Sequence, residues 1–136
     1  MTVIGLDLGR ARVGVAVSDD LGSMAHPRPT LEGRDRKALL VALVALAREE
    51  VAERFVLGLP LEMTGERGPA AARALEFATA LANASGLEVE LVDERLSTVE
   101  AGRALAASQV RRRDRRQHID AASAVVILQA WLDRQR

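Results

Sequence analysis

The chain has 136 residues, 49% of them hydrophobic and 28% charged, a composition that predicts one globular domain over residues 1–136. Its formal net charge is zero, so any affinity for nucleic acid has to come from a local basic patch. Aromatic residues make up only 2%, which argues against a sheet surface that stacks bases. The absence of Cys excludes disulfide and thiolate chemistry, and the first ten residues lack the pattern of a signal peptide. We therefore expect a cytoplasmic protein with no membrane partner.

The first third of the chain predicts three strands. Residues 2–9 alternate in the manner of a strand, and residues 12–18 are again rich in β-branched side chains. The gap at Arg10 and Ala11 is so short that these two strands must form an antiparallel hairpin. A stretch containing Gly and Pro, residues 22–29, then leads to a third short strand that ends near Glu32.

The rest of the chain alternates between helices and strands. Apolar residues recur at helical spacing over residues 35–53, and a second helix is expected from Pro69 to Ser85, with Gly86 as its stop. Strands are expected at residues 54–59 and 87–92, and helices at residues 98–108 and 118–133. The last helix is expected to pack through Ile119, Ala122, Val126 and Ala130. This order predicts an α/β protein with an RNase H-like fold, in which helices cover both faces of a mixed five-stranded sheet.

Asp7 is the first candidate for chemistry. It lies in the segment G-L-D-L-G, on the same side of the strand as Gly5 and Gly9, so no bulky neighbour along its own strand shields the carboxylate. Small neighbours leave room for a metal ion or a phosphate. An aspartate at a strand end that only hydrogen-bonds its turn would show the same pattern, and the spacing alone leaves both interpretations open.

Glu94 is the second candidate, within the triplet D-E-R that follows a predicted strand. Ligands of α/β proteins bind outside the carboxyl ends of strands, which favours a functional role for this triplet. Thr98 is better explained as the N-cap of the next helix. Asp93 is the reserve for Glu94, because it alternates with the apolar residues of its strand.

Asp120, at the front of the last helix, is the third candidate. At helical spacing it shares one face with Ala124, Ile127 and Trp131, so it heads an apolar stripe that should face the sheet. An unpaired charge there is costly unless something compensates it. Favourable placement of an acid in the first helical turn is the simpler explanation for this residue taken alone.

Five arginines lie just before Asp120, namely Arg111, Arg112, Arg113, Arg115 and Arg116. Such runs usually form solvated loops. Next to an acidic site, however, a basic loop can hold the phosphates of a nucleic acid.

Taken together, Asp7, Glu94 and Asp120 come from a strand, a strand end and a helix that this fold could bring together. Three carboxylates can hold two divalent ions roughly 3.5–4 Å apart, a pair that activates water and stabilises a leaving oxygen. Mg²⁺ (or Mn²⁺) suits oxygen ligands, whereas two histidines and no Cys argue against zinc. The combination predicts a metal-dependent nuclease, a hydrolase acting on phosphate esters.

Four segments of the chain resemble the YqgF family of RuvC-resolvase-like proteins. They are G-L-D-L-G-R-A-R-V-G-V-A-V-S-D at 5–19, G-L-P-L-E-M-T-G at 58–65, D-E-R-L-S-T at 93–98 and I-D-A-A-S-A-V-V-I-L-Q-A-W-L-D at 119–133. The resemblance spans nearly the whole chain and implies a nuclease that processes the 5′ end of pre-16S rRNA.

The same resemblance assigns the family's acidic residues to Asp7, Glu94 and Asp120, and two arginines of its motifs to Arg12 and Arg95. The chain departs from the family pattern in the 58–65 loop. There Glu62 and Thr64 stand where the family usually has Asn and Asp, which puts that loop's contact to substrate or metal in question.

Three alternatives stay open at this stage. The opening D-L-G also resembles the phosphate loop of actin-like ATPases and sugar kinases, but those need a second lobe that 136 residues do not provide. Kinship to resolvases suggests a DNA-junction endonuclease, and a non-catalytic RNA-binding factor of ribosome assembly would need the arginine run but not the three acids together. The sequence is compatible with a monomer or a weak homodimer.

Overall fold

The computed structural model of the chain describes residues 1–59, 68–93 and 112–135, with the backbone alone for residues 112–120. The elements follow in the order β1 (Thr2–Leu8), β2 (Arg12–Ser18), β3 (Ala25–Glu32), α1 (Arg36–Glu50), β4 (Ala52–Leu59), α2 (Pro69–Ser85), β5 (Glu88–Asp93) and α3 (Arg112–Arg134). No helix in the described ranges is both long enough and apolar enough to cross a membrane.

The five strands form one mixed sheet in the order β3-β2-β1-β4-β5. β2 runs antiparallel to both β1 and β3, whereas β4 is parallel to β1 and β5. The β1–β2 turn is as tight as the sequence predicts, because the backbone N–H of Gly9 donates to the carbonyl of Arg12 at 3.0 Å. A Cβ at Gly9 would lie 2.5 Å from that carbonyl oxygen, so a side chain does not fit there. The predicted hairpin and mixed five-stranded sheet are confirmed.

Two apolar layers lie on opposite faces of the sheet, because successive strand side chains point to opposite sides. The first layer joins β1, β2 and β4 to α1 and α2, with Ile4, Val15 and Phe55 among its buried members. The second joins the other side of the sheet to α3, with Val3, Ala16, Val56, Val92, Ala124, Ile127, Leu128 and Trp131 buried. Helices on both faces are the predicted architecture.

Local signals explain where α1 and α2 begin and end. Asp35 caps α1 by accepting a hydrogen bond from the backbone N–H of Ala38 at 3.2 Å. α1 ends at Glu50, earlier than predicted, and Val51 caps it in a left-handed conformation with φ 53°. α2 spans the predicted residues from Pro69 to Ser85, and Gly86 ends it with φ 73°.

Two sequence predictions for the last helix are wrong. α3 begins at Arg112 rather than at His118, so residues 112–116 are helical and do not form the expected loop. Arginine is a good helix former, so the four arginines within residues 112–116 need no loop. The expected short helix at residues 98–108 and Arg111 lie outside the described residues.

The packing stripe of α3 also differs from the one predicted through Ile119, Ala122, Val126 and Ala130. Ala122 and Val126 are only half-buried, Ala130 is exposed, and the side chain of Ile119 is outside the described part. The buried side chains are instead Ala121, Ser123, Ala124, Ile127, Leu128, Trp131 and Leu132. From Ile119 to Leu132 nearly every position of this helix is small or apolar, so its sequence supports several stripes, and the contact with the sheet selects one of them.

Candidate nuclease site

Asp7 occupies a position walled by glycines near the carboxyl end of β1. It is half-buried, and its partner on the neighbouring strand β2 is Gly14. Gly5 and Gly9 are its same-side neighbours along β1, as the sequence predicts. On β4, Gly58 lies one step past the last registered pairs and occupies the same side. Each of the four neighbours of Asp7 in the sheet is thus a glycine, so none of these four residues has a side chain that could shield the carboxylate.

Helix α3 covers this side of the sheet and runs antiparallel to β1. A Cβ on Gly5 would lie 2.6 Å from Leu128 Cβ and 3.2 Å from the Ala124 carbonyl oxygen, so helix and strand are in close contact. Further along α3, the Gln129 side chain bonds the backbone of Ser23 and Ala25 at 2.9 Å, near the start of β1. The amino half of α3 therefore extends towards the end of β1 that carries Asp7.

Residue 120 lies one helical turn before Ala124, which itself lies over Gly5. Asp7 lies two residues after Gly5 on β1, and α3 runs antiparallel to β1. The backbone of residue 120 and Asp7 therefore belong to the same face and the same end of the sheet. The side chain of Asp120 is outside the described part of the chain.

The alternation of β5 distinguishes Asp93 from Glu94. Val92 is buried in the layer beneath α3, whereas Asp93 pairs with Leu59, a residue of the opposite layer. Asp93 is therefore on the side of α1 and α2, away from Asp7, and it is exposed. Glu94 lies outside the described residues. The register therefore places its reserve, Asp93, on the side of the sheet that does not carry Asp7.

Arg12 is on the same face as Asp7. It is half-buried at the start of β2, two residues before Gly14, and it pairs in register with Glu32 of β3. Arg95 and Arg111 are outside the described residues, and for Arg112, Arg113, Arg115 and Arg116 only the helical backbone is described.

The described side chains test part of the expected metal site. Among them, no three His, Cys, Asp or Glu residues come together, and two of the three predicted ligands lie beyond this set. Asp7 offers a hard oxygen ligand in a space cleared by glycines, which fits Mg²⁺ or Mn²⁺ and would not attract a soft metal. Sequence reasoning recognised Gly5 and Gly9 but missed Gly14 and Gly58, because their proximity to Asp7 depends on strand register.

The family described as "RuvX: Holliday junction resolvase" matches residues 1–134. This match confirms the resemblance found in the four sequence segments.

Similar proteins cover the chain almost end to end. A Myxococcus xanthus protein named "Putative pre-16S rRNA nuclease" is 48% identical over 136 residues, which are 100% of this chain and 90% of that protein. An Anaeromyxobacter protein of the same name is 47% identical over 133 residues, covering 98% and 97%. The solved structure described as "T. thermophilus RuvC in complex with Holliday junction substrate" has a TM-score of 0.60 at 15% identity, covering 99% and 95%, and shows that the fold is shared.

Proposed function

The chain belongs to the RuvX family, and on that premise we propose that it is a metal-dependent nuclease that hydrolyses phosphodiester bonds of precursor 16S rRNA at the 5′ end. Relatives that are 47–48% identical over nearly all of both chains carry the name of a pre-16S rRNA nuclease, which supports this substrate. The RuvC-like fold supports the same class of reaction.

One observation carries the proposal: the Asp7 carboxylate lies among glycines, at the end of the central strand, under the amino half of α3. A structural aspartate needs only a hydrogen-bond donor. At Asp7, none of the four neighbours in the sheet has a side chain that would keep a charged ligand away from the carboxylate. In this fold the carboxyl end of the parallel strands is also where a ligand is expected.

Asp7, Glu94 and Asp120 would hold the metal, with Asp7 contributing from β1, residue 120 from α3 and residue 94 from beyond the end of β5. Bound there, Mg²⁺ or Mn²⁺ would supply an activated water and stabilise the leaving oxygen. Arg12, on the same face as Asp7, would hold a phosphate oxygen through its guanidinium. The β-sheet keeps these groups in position, so little reorganisation is needed when substrate binds.

The test is cleavage of two substrates by one preparation. A 5′-extended precursor rRNA fragment and a four-way DNA junction are each incubated with the protein in Mg²⁺, in Mn²⁺ and in EDTA. We expect cleavage of the RNA in either metal and none in EDTA.

A DNA-junction endonuclease is the second candidate, because the family description names a Holliday junction resolvase. Cleavage of the junction in preference to the RNA would replace the proposed substrate. Tight RNA binding with no cleavage in either metal would instead favour the non-catalytic assembly factor.

A further inference from the structure

Cationic side chains gather at the end of the molecule that carries Asp7. β1 and β3 both run antiparallel to β2, so the β1–β2 turn, with Arg10, and the β3–α1 junction, with Arg34, lie at the same end of the sheet. The backbone N–H of Gly33 joins them by donating to the Ala11 carbonyl at 2.9 Å. Arg10 and Arg34 are both exposed, as are the neighbouring Glu32 and Asp35, and the two arginines form the first part of a cationic surface.

The surface continues onto the first turns of two helices. α1 starts at this end with Arg36 and Lys37, and α2 starts there too because it follows the carboxyl end of β4. The positive ends of both helix dipoles add to the positive potential there. The guanidinium of Arg36, the first residue of α1, lies 5.3 Å from the centre of the Phe77 ring, so the start of α1 lies beside the middle of α2.

Between these helices lies a cleft of about 280 Å³. It is lined by Arg36, Leu40, Arg73, Glu76, Phe77 and Ala80. Nη1 of Arg36 is buried and has no hydrogen-bond partner among the described atoms. Burying a guanidinium N–H without a partner is costly, and an anion in the cleft would satisfy it. Glu76 reduces the positive charge at the cleft, where two arginines face one carboxylate.

The other end of the molecule carries the exposed carboxylates of Asp20, Glu49 and Glu53, around the start of β1 and β4 and the end of α1. The end that carries Asp7 also has exposed carboxylates, Glu32, Asp35 and Asp93, which lie among its cations. Arg48 is exposed in the last turn of α1, at the end remote from Asp7.

We propose that Arg10, Arg34, Arg36, Lys37 and Arg73 form a basic edge that binds the phosphodiester backbone of the substrate strand as it leaves the Asp7 site, with Arg36 and Arg73 holding one phosphate in the α1–α2 cleft. This inference rests on the proposed nuclease function. The substrate strand would then run from the α3 side of the sheet, over the β1–β2 turn, to the side of α1 and α2. Guanidinium groups bind phosphates bidentately, and the scarcity of aromatic residues makes backbone contacts the available means of binding.

The test measures binding without cleavage. A fluorescein-labelled single-stranded precursor rRNA fragment is titrated in EDTA with the full-length protein, and Kd is followed by anisotropy between 50 and 200 mM salt, a range over which phosphate contacts respond. The Arg34→Ala/Lys37→Ala double variant and Arg73→Ala should bind more weakly. The slope of log K against log salt should become shallower by about 0.7 for each lost phosphate contact. Arg48→Ala, from the far end of the same helix, is the matched control and should leave Kd and slope unchanged.

Two further variants examine the cleft. Arg36→Ala also removes the contact with Phe77, so it is paired with Arg36→Lys, which keeps the charge but loses the fork; both should weaken binding in correctly folded protein. Glu76→Gln removes the carboxylate that opposes the two arginines of the cleft, and this variant should bind the RNA more tightly.

The basic edge would be overturned if the Arg34→Ala/Lys37→Ala variant and Arg73→Ala had the same Kd and salt slope as Arg48→Ala. This holds even if the wild type cleaves RNA normally. Conversely, a failure of the wild type to cleave would count against the proposed nuclease function, while the salt slopes would still decide the basic edge.

Discussion

Replacing Gly5 with Ala tests whether α3 is seated on β1 as described. The added Cβ would lie 2.6 Å from Leu128 Cβ and 3.2 Å from the Ala124 carbonyl oxygen. Carbon atoms in contact normally lie about 3.5–4.0 Å apart, so the helix has to move outward by about 1 Å. Rotation of a side chain cannot relieve the clash, because the Leu128 Cβ is fixed to the helix backbone.

Overpacking of this kind costs about 1–3 kcal/mol, and the loss of glycine's unfolded-state entropy returns about 0.5–1 kcal/mol. We expect a net loss of about 1 kcal/mol in the free energy of unfolding, with Tm lower by roughly 3–5 °C for a chain of this size. A displacement of about 1 Å near a reacting centre can cost about 10²-fold in rate, so cleavage should fall as well.

Urea unfolding and single-turnover cleavage are measured on the same preparations. Gly86→Ala is the matched control, since Gly86 lies at the opposite end of the molecule, has φ 73°, and has no described atom within 4 Å of the point where an added Cβ would lie. That variant should lose about 1 kcal/mol through backbone strain but keep its cleavage rate. Wild-type stability and activity in Gly5→Ala would refute the close packing of α3 on β1.

Three other perturbations follow from local structure. Val51→Gly relieves a β-branched residue in a left-handed conformation that is 80% exposed, and should raise the free energy of unfolding by about 0.5–1 kcal/mol in urea melts, whereas a loss would contradict the strain. Hydrogen bonds from the backbone N–H and hydroxyl of Ser23 lower the pKa of Asp19 below its ordinary 3.8, so its contribution to stability is present above that pH and lost as pH falls through the lowered pKa. The drop in urea midpoint between pH 7 and pH 3 should therefore be smaller in Asp19→Asn, and an equal drop would contradict this. Trp131→Phe removes the indole N–H donor to Glu90 and should cost about 1–3 kcal/mol by the same urea assay, with no change expected only if that bond is absent in solution.

The parts of the fold that local chemistry determines could be predicted from the sequence. The β1–β2 hairpin follows from a connection too short for any other geometry, and Pro69 with Gly86 delimits α2. Local signals were weaker for α1, whose end at Val51 has no glycine to mark it. These elements needed no information about distant parts of the chain.

The errors arose where a pattern had more than one physical solution. The apolar and small residues of α3 surround the helix, so only the close approach at Gly5 decides that Ala124 and Leu128 face the sheet. β5 alternates Glu88 and Glu90 with Val89 and Leu91, and this alternation alone does not reveal which side of the sheet carries the site. Asp93 therefore stayed the reserve for Glu94 until its pairing with Leu59 placed it on the side of α1 and α2.

The candidate site was predictable only in part for the same reason. Asp7 and its strand neighbours Gly5 and Gly9 are adjacent in sequence, whereas Gly14 and Gly58 reach it through strand pairing. The basic edge was missed because its side chains are dispersed over the chain, whereas the consecutive arginines at 111–116 are conspicuous in the sequence.

The most direct test of the central claim is the single-turnover rate at which Asp7→Asn cleaves the precursor rRNA fragment. Asn keeps the shape of the side chain and removes its charge, so the fold should survive while the rate falls by about 10²-fold or more. Asp20→Asn is the control, since it removes one exposed carboxylate at the opposite end of the sheet and should cleave like the wild type. Cleavage by Asp7→Asn at the wild-type rate, in a preparation free of other ribonucleases, would contradict the assignment of Asp7 to the reacting centre.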